Sequence, residues 1–294
     1  MFKATSAFIF SVLSFYVSSV WGSCVIDDRE RKVCSEAPVT RIAALSPGAT
    51  ELAFSAGAGD KVVAVVSFSD YPPAAQEIES VGSPSRLDLE RLLALKPDLI
   101  LAWGTGNPSE QISTLLRLGM RVFYVEPHSF SSIAQDIRDI AQLAGTEASG
   151  DVAASAFLKG ISDLKTQYSQ KPKIRTFYQV WDEPLMTMNG QHYINQVVEL
   201  CGGINVFSKS PRLIPRLNKE AVLIENPEVI VAGGMGERNA HWLEGWRAFP
   251  ELMATKQDNL FFVPPSLLQR PTPRLLEGAK ILCEKLDLAR SRRG

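Results

Sequence analysis

The residues able to carry chemistry are few and widely spaced: three histidines, four cysteines and the two G-x-G turns that follow strand-like apolar runs, at Gly104 to Gly106 and Gly234 to Gly236. A G-x-G that follows a strand raises dinucleotide binding, whose fingerprint needs a third glycine three residues on for close helix packing beside the pyrophosphate. Ser109 and Asn239 stand in that place, and Trp103 and Pro108 crowd the first turn. Neither a G-x-x-x-x-G-K phosphate loop nor a G-x-S-x-G nucleophile elbow occurs. His128, His192 and His241 include no i, i+4 pair, so a metal would require distant imidazoles to converge; surface or loop histidines are the simpler reading. No paired acids, activated serine or poised cysteine stands out, which favours a binder over an enzyme.

Trp103 is the most informative of these residues. It ends the run LILAW, Leu99 to Trp103, which reads as a strand buried on both faces, and Gly104, Thr105 and Gly106 clear space beside it. Open parallel sheets bind ligands beyond the carboxyl ends of their strands, so Trp103 is a candidate ligand contact, with ordinary core packing as the alternative. Glu90 and Glu220 each open a helix that precedes a glycine turn. An acid there interacts favourably with the helix dipole, and its matched placement in both halves also offers two negative points to a partner with two basic pockets.

The elements that must position these residues alternate. From Arg41 the chain reads as RIAAL, a helix from Thr50 to Ala56, the strand KVVAVVSFS, a helix from Asp88 to Leu95, LILAW, a helix from Pro108 to Leu118, RVFYV, and a helix from Ser131 to Leu143. Strands alternating with helices predict an α/β fold with a mostly parallel sheet. Between Thr146 and Gln170, Val152, Phe157, Leu158, Ile161, Leu164 and Tyr168 recur at helical spacing; Gly150 and Gly160 weaken this helix, and Pro172 stops it before the strand KIRTFYQVW. An internal repeat doubles the pattern. LERLLALKPDLILAWGTG, Leu89 to Gly106, aligns with KEAVLIENPEVIVAGGMG, Lys219 to Gly236, and RVFYVEP then aligns with NLFFVPP in the same order. The expectation is two similar lobes, residues 40–145 and 172–290, joined by one long helix, residues 146–171, with both glycine turns lining one cleft.

Length and composition agree with this. A chain of 294 residues with 45% hydrophobic content can build two moderate cores, and a net charge of -1 excludes the basic excess of a nucleic-acid binder. Lys3, an apolar stretch from Phe8 to Val17 and small residues up to Ser23 read as a secretory signal cut after Gly22, too short for a membrane span. An uncleaved anchor or a lipid on Cys24 are the alternatives, and Trp21 suits a lipoprotein signal poorly. Residues 23–39 then form an N-terminal segment. Export favours disulfides; four cysteines allow three connectivities, and the expected one joins Cys24 to Cys34 and Cys201 to Cys283. C-x-x-C spacing is absent, which argues against a redox or zinc motif.

LSPGATELAFSAG, SFSDYPPAAQ, LERLLALKPDLILAW, NQVVELCGGINVF and QRPTPR together resemble the exported cobalamin-binding proteins that serve ABC importers, within a wider family that also carries ferric siderophores and haem. The resemblance covers nearly the whole mature chain. It implies a periplasmic, monomeric protein of two lobes around a rigid helix, a corrinoid held in the cleft as cargo, and docking on a membrane permease. No catalytic cofactor and no resident metal are implied. By motif it assigns Phe68, Trp103, Arg270, Pro47 and Gly48 to ligand binding, Glu90 and Glu220 to permease arginines, and Cys201 with Cys283 to the family disulfide. Phe68 stands where the family commonly has tyrosine. Met186 replaces a phenylalanine, while Pro84 and Ile214 replace tryptophans, so a less aromatic cleft with relaxed preference is expected around Phe68, Trp103, Met186 and Ile214. A ferric-siderophore or haem binder, drawing on Tyr71, Tyr193 or Arg216, is the nearest alternative; an exported α/β enzyme and a ligand-free interaction module are further ones.

Overall fold

A computed structural model describes residues 22–234, 236–237 and 240–293. The expected export signal, apart from Gly22, lies outside the described residues. The N-terminal half opens on an antiparallel hairpin, β1 (Ser23–Ile26) with β2 (Lys32–Ser35), closed by the Cys24–Cys34 disulfide. It continues through β3 (Ile42–Ala44), α1 (Pro47–Ser55), β4 (Val62–Ala64), the short pair β5 (Gly82–Ser83) and β6 (Arg86–Leu87), α2 (Leu89–Ala94), β7 (Leu99–Trp103), α3 (Ser109–Arg117), β8 (Val122–Val125) and α4 (Phe130–Ala144). The parallel sheet has the order β4-β3-β7-β8.

The long helix α5 (Glu147–Tyr168) leads to the second half. There β9 (Ile174–Gln179), α6 (Tyr193–Leu200), β10 (Gly203–Asn205), α7 (Lys219–Glu225), β11 (Val229–Ala232), α8 (Glu244–Arg247), α9 (Met253–Lys256), β12 (Leu260–Phe262), α10 (Pro265–Leu268) and α11 (Leu275–Ser291) follow in turn. The second parallel sheet has the order β10-β9-β11-β12, and Cys201–Cys283 ties the end of α6 to α11.

The two sheets repeat each other in register as well as in order. Ile100 lies opposite Val122 in the first, and its counterpart Ile230 lies opposite Leu260 in the second. Asp98 accepts from the backbone N–H of Arg41, and Glu228 from that of Arg175, each at 2.9 Å. Asp88 and Asn218 cap α2 and α7 in the same way. Lys96 and Asn226, each just before the proline that ends its helix, both take a left-handed backbone, with φ of 49° and 42°. The central strands β3, β7 and β11 are buried along nearly their whole length, as strands covered on both faces must be.

Three expectations are adjusted. Helix α1 starts at Pro47 rather than Thr50, because Ser46 Oγ accepts from Ala49 N at 3.0 Å and Pro47 is already set for a first helical turn. The strand read over KVVAVVSFS stops at Ala64; beyond it the chain turns, with Phe68 at a φ of 68°. In α5 the buried stripe is Gly150, Ala154, Phe157, Ile161, Leu164 and Tyr168, while Val152 faces solvent. Its glycines are approach points: a Cβ on Gly150 would meet Ala141 of α4 at 2.4 Å, and one on Gly160 would meet Leu276 of α11 at 2.3 Å. Residues that lower intrinsic helicity here let the linking helix seat against its neighbours.

Candidate functional site

The carboxyl ends of both sheets carry the candidate residues. At the end of β7, Trp103 is 41% exposed although the four residues before it are fully buried. Its backbone N–H donates to Asn107 Oδ1 at 2.7 Å, and Asn107 Nδ2 donates to the carbonyls of Leu45 and Pro84 at 2.8 and 2.9 Å. The indole lies over Gly106, where a Cβ would meet it at 1.9 Å. This glycine is therefore required by the ring beside it rather than by a phosphate.

Phe68 follows β4 and is 73% exposed in a left-handed conformation that is costly for a bulky side chain. Its carbonyl accepts from Arg270 Nη2 at 3.1 Å. Arg270, on the loop after α10, also reaches Asp70 at 2.7 Å and Glu51 of α1 at 3.0 Å. Glu51 further accepts from Thr272 Oγ1 at 2.7 Å and lies 3.3 Å from Arg274, whose guanidinium stands 4.1 Å over the Tyr71 ring. The QRPTPR segment thus forms a charged seam with the N-terminal lobe, and Arg270 holds its charge against three oxygens of that lobe. Burial, the largest influence, opposes charge on Arg270, but hydrogen bonds to Asp70 and Glu51 hold the guanidinium above its ordinary pKa. Glu51, almost wholly buried, is pushed up by burial despite Thr272, Arg270 and Arg274. Pro47 and Gly48 are half-buried in the first turn of α1, one turn before Glu51.

In the C-terminal lobe, Met186 is half-buried and pairs through its backbone with Trp181 on one side and Arg216 on the other. Ile214, two residues before Arg216, is half-buried against the core. Trp181, just past the end of β9, meets Trp242 edge to face at 5.7 Å, and the Trp242 ring closes over Gly234, the counterpart of Gly104. Both tryptophans escaped the sequence reading. Trp181 carries a weaker form of the signal that singles out Trp103, an aromatic at a strand end, whereas Trp242 sits in a segment with no pattern. They add aromatic surface at the carboxyl end of the second sheet.

Glu90 and Glu220 occupy the first turns of α2 and α7, exposed and equivalent in the two lobes. The histidines are dispersed. His128 follows β8, His192 caps α6, and the carbonyl of His128 accepts from Gln196 Nε2 of α6 at 2.8 Å, a second bridge between lobes. Among the described residues no group of three or more His, Cys, Asp or Glu could hold a metal ion, and no helix is long and apolar enough to cross a membrane.

Comparison with known proteins gives concordant matches. The family model described as periplasmic binding protein matches residues 42–267. A vitamin B12-binding protein of Vibrio cholerae is 38% identical over 252 residues, 86% of this chain and 91% of its own length. One from Yersinia pestis is 37% identical over 250 residues, 84% of this chain and 86% of its own. The crystal structure of the periplasmic vitamin B12 binding protein BtuF of Vibrio cholerae superposes with a TM-score of 0.79 at 37% identity, covering 86% of this chain and 98% of that one. The periplasmic heme-binding protein RhuT of Roseiflexus, at 22% identity and a TM-score of 0.74 over 85% of this chain and 98% of that one, shares the fold.

Proposed function

The chain belongs to the periplasmic binding protein family, and on that premise we propose that it captures cobalamin or a related corrinoid between its lobes and delivers it to the permease of an ABC importer. No chemistry is done on the cargo. The protein works in the periplasm after removal of residues 1–22, as a monomer with lobes at residues 40–145 and 172–290. The observation that carries the reading is Trp103, a large aromatic left exposed at the carboxyl end of a buried strand. Rigid macrocycles bind through apolar area with a few placed polar groups, and Phe68, Trp103, Met186 and Ile214 supply such area, with Trp181 beside them. Pro47 and Gly48 line the same end of the N-terminal lobe, and Arg270 closes the seam on which the cleft rests.

Calorimetric titration against cyanocobalamin, cobinamide and haem tests this. Tight binding of both corrinoids is the expected result, and retained affinity for haem with none for cobalamin reverses the choice. Trp103→Ala is expected to weaken cyanocobalamin by about 10- to 100-fold, the equivalent of losing about 1.5–3 kcal/mol of aromatic burial, with unchanged thermal stability. Unchanged affinity would remove Trp103 from the site.

One observation favours the haem or siderophore alternative. Arg86 and Arg216 occupy equivalent positions in the two lobes, two residues after Pro84 and Ile214, and both are exposed with no ion pair among the described residues. Guanidiniums so placed suit a macrocycle that bears carboxylates. Arg86→Ala with Arg216→Ala leaves cobinamide binding unchanged under the corrinoid reading and weakens haem binding under the alternative.

Glu90 and Glu220 are assigned to the permease. Replacing both with alanine is expected to leave cyanocobalamin affinity within twofold of wild type and to reduce uptake in reconstituted vesicles at least tenfold. Normal uptake by the double variant would leave the helix-dipole role as sufficient.

A further inference from the structure

The N-terminal hairpin reaches the turn that presents Trp103. Its tip is organised by Asp27, which accepts from the backbone N–H of Arg29 at 3.0 Å and of Arg31 at 2.9 Å, and from Arg31 Nε at 3.0 Å. The tip then lies along β8: Asp28 N donates to the Tyr124 carbonyl at 3.2 Å, and the guanidiniums of Arg29 and Arg31 stand 4.1 and 4.5 Å from the centre of the Tyr124 ring. Beyond β8 it grips two loops at once. Asp28 accepts from the backbone N–H of Glu126, the Glu126 carboxylate accepts from Thr105 Oγ1, and Arg29 Nη2 donates to the carbonyl of Gly104. Gly104 and Thr105 directly follow Trp103, whose own N–H is held by Asn107.

We propose that Arg29 is a positioning residue for ligand binding: through the Gly104 carbonyl it fixes the turn that presents the Trp103 indole to the cleft. The disulfide-closed hairpin is the rigid arm behind it. An exposed aromatic on a turn flanked by glycines loses conformational freedom when a ligand orders it, and a turn held beforehand has less to lose. Arg29 touches no cargo in this scheme and acts only by way of Trp103. The scheme rests on Trp103 being a cargo contact, so its test has an arm that needs no cargo.

That arm is the indole N–H spectrum of the ¹⁵N-labelled full chain, with the Trp103 signal identified by its loss in Trp103→Phe. Arg29→Ala is expected to shift or broaden the Trp103 signal and leave those of Trp242 and Trp246 in place; Arg29→Lys, which keeps one donor and the charge, lies between and serves if the alanine variant folds poorly. In the second arm Arg29→Ala weakens cyanocobalamin about tenfold in the wild-type background and has no further effect once Trp103 is alanine. A Trp103 signal unmoved by Arg29→Ala overturns the proposal, as does an equal affinity loss with and without the indole. If the wild-type protein binds no corrinoid, the assigned cargo falls while the indole spectrum still decides the role of Arg29.

Discussion

Glu51→Ala is expected to lower the free energy of unfolding by about 3 kcal/mol, near the lower end of what breaking a buried ion pair costs. The carboxylate is 2% exposed and is the shared partner of Arg270, Arg274 and Thr272, so its removal leaves two largely buried guanidiniums short of a counter-charge. Arg270 keeps Asp70 and the Phe68 carbonyl, which is why the loss stays at that end of the range. For a chain of this size the shift is about 5 °C in melting temperature. Glu51→Gln keeps the shape and an acceptor for Thr272 and should lose less than half as much. Thermal melts at pH 7 check both; a melting point within 2 °C of wild type for Glu51→Ala would show that the charged seam carries no net stability. Because every partner of Glu51 but its own helix comes from the other lobe, the loss should also appear as weaker coupling of the lobes in the unfolding transition.

What the sequence disclosed and what it hid divide along a physical line. The repeat was legible because local signals carry it: Asp88 and Asn218 as caps, Pro97 and Pro227 as stops, and apolar runs set by burial on both faces. The aligned blocks also pair alike in the two sheets, Ile100 opposite Val122 and Ile230 opposite Leu260, a register the alignment itself does not specify. Helix α5 is legible from its period, but the role of its glycines is not, since propensity counts them as breakers and only the packed neighbours Ala141 and Leu276 reveal why they are there. The cleft was half legible. Trp103 stands out because the run before it is wholly apolar; Trp181 also follows a strand, but Lys173, Arg175 and Gln179 interrupt its run and weaken the signal. The bond from Arg270 to Glu51 spans 219 residues of sequence and left no pattern, because partners chosen by tertiary contact impose no period on the chain. The same holds for Arg29 and Gly104, 75 residues apart.

Acid should weaken the protein through His192. Its Nδ1 accepts the backbone N–H of Ile194 at 3.2 Å, a cap that only the neutral ring can provide, and the ring lies 4.5 Å from that of Tyr193. Burial, with a smaller effect from the charge of His128 across the lobe boundary, lowers its pKa from 6.5 to about 4. A depressed pKa means the folded state binds the proton less readily than the unfolded chain, so this contribution is complete above pH 6.5 and is lost as the pH falls towards 4. A shift of that size corresponds to about 3 kcal/mol, and partial contact of the ring with solvent reduces this to about 2. The carboxyls of Glu51, Asp28, Asp136 and Asp139 are all raised, chiefly by burial, and act in the opposite sense, favouring the fold as acid is added. Wild-type stability alone therefore mixes the two, and the difference against His192→Asn separates them. Asparagine caps a helix without titrating. Urea unfolding from pH 7.5 to 4.5 should show the wild type losing about 2 kcal/mol more than the variant, most of it below pH 6.5. Parallel curves would place the acid sensitivity on other groups and leave the α6 cap indifferent to the charge of its histidine.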